Sequence, residues 1–407
     1  MHILLVHQAF AALDEPGGTR HHELARLLAG RGHRVTVIAS PVSYLTGEAS
    51  GRRIPWAKQE QTGPGVTVVR AYTYPGWHRS FVHRVISFLS FTLSSFIIGL
   101  GIGEVDLVWG TSPQIFQGLT AWGLARLKRA PFLFEVRDLW PAFAVAVGVL
   151  RNPLLIRASQ GLESFLYHRA DRIVVNSPGF VDHVASRGAS GIEVVPNGAD
   201  TSMFDPQARG ETFRRRHNLE GRFIVLYAGA HGMSNDLEVL LEAAQMLGKH
   251  PEIAIVFLGD GKEKPALVER AQRMGLKNVL FLPAVPKNHI PQALAAADAC
   301  VAILKPIEQY KTVYPNKVFD YMAAGRPVVL AIDGVIREVV ERAGAGIPVP
   351  PGEARPLVEA LLTLKNDPAI CQEMGRRGRD YVTAHFDRSL SADKMAEIME
   401  RLVDKRG

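Results

Sequence analysis

Short apolar runs of strand length alternate with stretches of helical period along all 407 residues. That alternation is the pattern of parallel sheets covered by helices on both faces, and it leaves little room for another layer architecture. In the first half the runs fall at residues 2–7, 34–39, 66–71, 106–110, 132–135, 172–176 and 193–195. A second series follows at 223–229, 253–259, 279–283, 299–304, 327–332 and 346–349. Between the first two runs, residues 19–29 place Leu24, Leu27 and Leu28 on one helical face, with Gly32 as a stop. Between the two series lies Pro196-Asn197-Gly198-Ala199-Asp200, a turn-forming cluster opening a polar, arginine-rich stretch through Arg216. The expected fold class is α/β, with doubly wound parallel-sheet domains over residues 1–200 and 201–385. Residues 386–407 read as helix with no strand left to cover, and are expected to return to the first domain.

With 47% hydrophobic and 21% charged residues, 37 Gly and 25 Pro, the chain lies within the globular average, which excludes collagen, coiled coil and wholesale disorder. Its two cysteines, Cys300 and Cys371, are too few for a disulfide scaffold or a thiolate metal site and suit a reducing cytoplasm. Met1 leads straight into a strand-like run without the basic and long apolar regions of a secretory signal, so the protein is expected inside the cell.

Charge is uneven. Residues 52–84 carry six basic groups (Arg52, Arg53, Lys58, Arg70, Arg79, Arg84) against Glu60, and the 19 residues of 85–103 carry none. The uncharged run approaches the length of a membrane span. Ser87, Ser90 and Ser94 recur on it at helical spacing, and a strand resumes at residue 106, so a helix over 81–103 that lies on a membrane is expected instead. It would turn its serine side inward and offer Phe88, Phe91, Phe96 and Ile97, while the basic segment attracts an anionic membrane surface. Without a lysine- or arginine-rich run interleaved with aromatics elsewhere, no nucleic-acid partner is expected.

Four stretches carry candidate chemistry. Gly17-Gly18-Thr19 follows the first strand and opens a helix, where backbone amides can approach an anion. Gly259-Asp260-Gly261-Lys262 repeats that logic at the end of a strand in the second series, with Lys262 and Lys264 adding positive charge. Tyr314-Pro315-Asn316-Lys317 opens a helix whose unsatisfied amides and Lys317 suit a diphosphate, and Asp320, one turn on, suits a ribose diol. As a surface ion pair, Lys317 and Asp320 would need no ligand. Arg137 and Asp138, at another strand end before Trp140-Pro141, are either a structural loop pair or a pair with a ligand role.

Taken in order, these motifs together with Gly30-Arg31-Gly32-His33, Glu135-Val136-Arg137-Asp138-Leu139-Trp140-Pro141, Pro196-Asn197-Gly198, Tyr227-Ala228-Gly229 and the helix from Lys317 to Pro327 resemble the GT-B glycosyltransferases of family 4. The resemblance is closest to their bacterial surface-polysaccharide branch, which includes N-acetyl-L-fucosamine transferases. It implies two Rossmann-like domains facing a cleft and a nucleotide-sugar donor, UDP-linked by expectation, held mainly by the second. It also implies a lipid-diphosphate-linked or oligosaccharide acceptor at the first, retention by front-face displacement, and no metal or other cofactor. Carried over to this chain, Asp138, Arg137 and Lys317 are the candidate catalytic residues. Gly17, Gly18, Gly259, Gly261, Lys262, Asn316, Lys317 and Asp320 are the candidate donor-binding residues. The localisation expected is cytoplasmic, peripheral on the inner face of the plasma membrane.

The chain departs from the family pattern. Of two glutamates eight positions apart, the second aligns with Asp320 and the first with Thr312; Glu308 is out of register. A family Arg and Lys align with Ala230 and Asn235, and a first-domain histidine is replaced by Arg137 or Asp138. A nucleotide-sugar 2-epimerase of the same architecture and a non-catalytic nucleotide-sugar-binding subunit are the competing readings.

Overall fold

In the computed structural model, residues 1–43, 47, 54–76 and 80–405 are described, the side chain of Phe81 excepted. The chain divides into two units, one of Met1–Leu13, Gly17–Pro196 and Ser389–Gly407, the other of Asp14–Pro16 and Asn197–Arg388. The first is built on β1 (His2–Val6), β2 (Arg34–Ala39), β3 (Ala57–Gly63), β4 (Val66–Ala71), β5 (Leu107–Thr111), β6 (Phe132–Val136), β7 (Arg172–Val175) and β8 (Ile192–Val194). They form one sheet in the order β3-β4-β2-β1-β5-β6-β7-β8, parallel throughout except for β3 against β4. The second unit holds β9 (Phe223–Ala228), β10 (Ile253–Leu258), β11 (Val279–Leu282), β12 (Ala299–Ile303), β13 (Val328–Ala331) and β14 (Gly346–Pro348), all parallel, in the order β11-β10-β9-β12-β13-β14.

Helices on both faces explain why β1, β5, β6, β10 and β12 are buried at every residue and read as continuous apolar runs. The sequence reading misses β3. Its residues, Ala-Lys-Gln-Glu-Gln-Thr-Gly, are polar and mostly exposed because an edge strand paired on one side covers no core. The strand order reverses beside β1 in the first sheet and beside β9 in the second, the places where such sheets bind ligands at their strand C-terminal ends. The last helix, Arg388–Asp404, buries Ala392, Met395 and Met399 in the same core as Leu24 and Leu28 of the first unit.

The uncharged run forms the helix Phe81–Leu100, long and apolar enough to cross a membrane by length and composition. Its serine side does turn inward: Ser87, Ser94 and Ser95 are buried, and Ser94 donates to the Tyr72 carbonyl. The expected aromatic outer face is corrected. Phe91 lies four residues after Ser87 and three before Ser94, so one helical face carries all three, and Phe91 is fully buried with them. Phe88 packs on Phe116, and the Phe96 ring lies against Gly123. The exposed stripe is Val82, Ile86, Leu89, Leu93, Ile97 and Leu100, of which the reading had only Ile97. The basic segment is corrected too. Arg70 is buried, bound to Glu60 and to the carbonyls of Phe10 and Ser40, and Lys58 is paired with Glu60. Arg84 is half-buried, while Arg52, Arg53 and Arg79 lie outside the described residues.

Candidate active site

In the second unit, the loops after β9 and β10 interlock. The His231 amide donates to the Asp260 carbonyl and the Glu263 amide to the His231 carbonyl. At Gly259 (φ 150°) a Cβ would lie 1.9 Å from the Gly229 oxygen, and at Gly261 (φ 155°) 2.4 Å from the His231 oxygen. These two glycines therefore serve the close approach of backbones. Lys264 closes the same corner by donating to the carbonyls of Gly259 and Leu282, while Lys262 is exposed.

Against this corner stands the helix Asn316–Ala323, with Pro315 at its N-cap. Lys317 projects from its first turn to the end of β9, where its Nζ donates to the Tyr227 hydroxyl at 2.8 Å and to Asn235 Oδ1 at 3.1 Å. No carboxylate pairs with it among the described residues. Burial lowers the ammonium pKa to about 7. Asn235, where the family pattern has a cation, is thus an acceptor for the cation that this chain keeps. Asn316 holds a buried Oδ1 without a partner at the helix start.

Asp320 does not pair with Lys317. It lies 2.5 Å from Lys287 of another segment, both side chains mostly buried. Thr312 turns its hydroxyl onto the Gln309 carbonyl, and Glu308 points to solvent paired with Lys311. His231 was not singled out by the sequence reading. It is fully buried among Tyr227, Phe257 and Phe281 with both ring nitrogens unpartnered, and burial, aided by Lys264, lowers its pKa to about 4.

The first unit gathers a buried polar cluster at its own reversal point. Glu135, next to last in β6, has no exposure and is bound by Arg20 Nε at 3.0 Å and His21 Nε2 at 2.6 Å. Arg20 also donates to the carbonyls of Val195 and Pro196, tying the helix Arg20–Gly30 to the end of β8. Burial raises the Glu135 pKa, but His21 and Arg20 outweigh it and hold the carboxyl well below the ordinary carboxylate range. The His7 ring stands edge-on to His21 at 4.3 Å, buried with both nitrogens unpartnered. Gly17 and Gly18 lead into this helix, and Thr19 donates to Glu23.

Arg137 and Asp138 follow the same strand. Arg137 Nε donates to the Thr111 hydroxyl at 3.0 Å and to the Ser112 carbonyl at 2.8 Å, so that guanidinium edge serves the loop after β5. Asp138 has a buried Oδ1 that receives no hydrogen bond, and burial pushes its carboxyl up to about 7 against the pull of Arg137 and the Leu139 amide. Near neutrality, such a group can accept or give a proton. Of the residues predicted from sequence, the structure brings together Gly259, Gly261, Asn316, Lys317 and Asp320 around one sheet edge of the second unit. Arg137, Asp138, Gly17 and Gly18 belong to the first. His7 and His21 were missed, and Tyr227 entered only as part of the Tyr227-Ala228-Gly229 motif. The signal for the histidines was a titratable residue directly after β1 and the run Arg20-His21-His22-Glu23 on a helix that its leucines bury.

Two family models match the chain: residues 17–198 match the glycosyl transferase 4-like domain, and residues 222–367 match the group 1 glycosyl transferases. The WcaI protein of Escherichia coli K12, named for a glycosyl transferase of colanic acid biosynthesis, is 24% identical over 375 residues, 88% of this chain and 91% of WcaI. Sucrose-phosphate synthase of Thermosynechococcus elongatus superposes with a TM-score of 0.80 over 99% of both chains at 20% identity. HepE of Anabaena, solved with UDP-glucose, superposes with a TM-score of 0.72 over 98% of this chain and 100% of HepE at 18% identity. At these identities the likeness in structure speaks for the fold.

Proposed function

Because the chain belongs to the GT-B glycosyltransferases of family 4, we propose that it moves a sugar from a UDP-linked donor to a lipid-diphosphate-linked glycan during the building of a surface polysaccharide. The observation that carries the donor half is Lys317, a partly desolvated ammonium without a carboxylate partner, set at the β9 edge beside the start of a helix. Breaking a glycosyl–diphosphate bond develops negative charge on the leaving group, and a preorganised cation with helix amides stabilises it. HepE's complex with UDP-glucose supports the choice of nucleotide.

In this reading Asn316 and Lys317 face the diphosphate, and Asp320 receives the ribose hydroxyls once Lys287 shares it. The loops at Gly259 and Gly261 shape the edge, and Lys262 adds positive charge there. Within the first unit, Gly17 and Gly18 lead to the start of the helix Arg20–Gly30, whose amides suit an anion. Asp138 orients an acceptor hydroxyl, Arg137 holds the loop that carries it, and the departing diphosphate takes the proton, with retention. Lys317 and the amides supply the positive charge, and no metal or other cofactor enters the scheme. The kinship with WcaI supports the polysaccharide context.

The acceptor half places the enzyme in the cytoplasm, on the inner face of the membrane. The stripe from Val82 to Leu100 supports this: six exposed aliphatic side chains run along one face. The opposite face is bonded to Tyr72 and, through Thr120, to the helix Ile115–Lys128. A helix held that way lies on a bilayer without crossing it. The test is a thermal-shift screen of nucleotide-sugars on the wild type and on Asp320→Asn. A UDP-sugar should stabilise the wild type most, and the variant less, since a charged acceptor to a diol contributes about 1.5–3 kcal/mol. Equal stabilisation of both proteins defeats the ribose assignment, and no stabilisation by any nucleotide-sugar defeats the donor assignment.

A further inference from the structure

The second unit has a cavity of about 800 Å³ at the sheet edge opposite the candidate donor site. Phe223, which opens β9, and Asp298 and Pro327, which immediately precede β12 and β13, lie in its wall, so it borders the strand N-terminal ends. Lys317 and the glycine loops border the C-terminal ends. The volume suits a small metabolite.

The cations of this cavity are unevenly matched. Arg376 is paired with Glu373 and Asp380, Lys365 with Glu252, and Asp298 is taken by Arg214. Arg209, Arg326 and Arg379 also line the wall, and among the described residues none forms an ion pair, although Asp298 acts on Arg326 and Asp387, Asp205 and Asp380 act on Arg379 from farther away. Arg379 donates to the carbonyls of Phe204 and Ala323, and Arg326 to that of Ala208. Among the described residues, the Arg326 Nε is buried with no hydrogen-bond partner, and Arg209 is exposed with none. Burial lowers the pKa of both Arg326 and Arg379, the mark of guanidinium groups held out of water without full compensation.

We infer that this cavity is an anion site for a small phosphorylated metabolite, bound by Arg209, Arg326 and Arg379. Guanidinium groups recognise phosphate by parallel N–H donors, and three around one concave space exceed what a single inorganic phosphate needs. A molecule with a phosphate and a second anionic group fits better. The site is independent of the donor assignment and stands on the other edge of the sheet.

The test is calorimetric titration of the full chain with inorganic phosphate and with 3-phosphoglycerate, each with and without saturating UDP. The expected result is saturable binding, tighter for 3-phosphoglycerate, that persists when UDP is present. Arg209→Gln, at an exposed residue with no contact to lose, should weaken binding by about tenfold or more, the scale of one charge-assisted hydrogen bond. Arg379→Gln should weaken it further while UDP still binds. Failure of both probes to saturate at millimolar concentration overturns the inference. So does displacement of the probe by UDP, which would place it at the donor edge, or an affinity unchanged in Arg209→Gln and in a folded Arg379→Gln.

Discussion

The ammonium of Lys317 lies 2.8 Å from the Tyr227 hydroxyl oxygen and 4.2 Å from the centre of its ring. Tyr227 is fully buried at the end of β9, and burial drives its phenol pKa upward, so it stays neutral. The lysine therefore has a neutral acceptor and a ring face as company, and its charge is left for an incoming anion.

A pH dependence follows from that arrangement. Burial depresses the Lys317 pKa from 10.5 to about 7, so its contribution to stability is present above the unfolded value and is lost as pH falls through the folded one. A bound diphosphate favours the charged form and raises the pKa again. Between about pH 7.5 and 9, UDP binding should take up close to one proton, and its affinity should fall nearly tenfold per pH unit. Calorimetry in buffers of different ionisation enthalpy measures the proton directly. Binding without proton uptake contradicts the arrangement.

Replacement of the same residue should separate stability from function. Lys317→Met removes a costly buried ammonium, so the melting temperature near pH 6 should rise, by an amount equivalent to roughly 1–3 kcal/mol. Turnover should fall by about 10²-fold or more, the scale of losing one preorganised electrostatic donor. A variant that is both less stable and fully active refutes both halves.

What the sequence discloses and what it hides divide along physical lines. The parallel strands were legible because helices cover both faces and force continuous apolar runs; β3 was not, because its polar residues cover nothing. The sequence places Asp320 one turn from Lys317, but the partner it finds is Lys287, brought from 33 residues away. Helical spacing proposes neighbours, and tertiary contacts choose among them. The Glu135 cluster was hidden for the same reason: Arg20 and His21 reach it across more than a hundred residues. The helix Phe81–Leu100 was legible as a helix, while its outer face was read one stripe away from where burial of the serines puts it.

The buried titratable groups predict acid sensitivity. His231, depressed to about 4, stabilises the fold above its unfolded pKa of about 6.5 and loses that contribution as pH falls toward 4. His231→Phe, within its aromatic surroundings, should flatten the fall in melting temperature between those values. Glu135→Ala should cost about 3–5 kcal/mol at pH 7, since it strands the Arg20 charge in the core. Denaturant titration at pH 7 and pH 5 measures both, and an unchanged midpoint in Glu135→Ala rejects the second.

Membrane contact is checked by co-sedimentation with anionic vesicles. The wild type should pellet with them, and Leu89→Glu with Leu93→Glu, on the exposed stripe, should remain in the supernatant with an unchanged melting temperature. The wild type recovered equally in the supernatant with and without vesicles leaves the stripe without a bilayer partner.

Sugar transfer at the Lys317 edge is read directly by one assay. A UDP-sugar panel is incubated with lipid-linked acceptors extracted from membranes, and free UDP and glycosylated lipid are quantified together for the wild type and Lys317→Ala. The expected result is equimolar release of UDP and gain of one sugar on the lipid with one donor of the panel, reduced about 10²-fold or more in the variant. A nucleotide-sugar converted to its epimer with no UDP released, or equal release by wild type and variant, contradicts it.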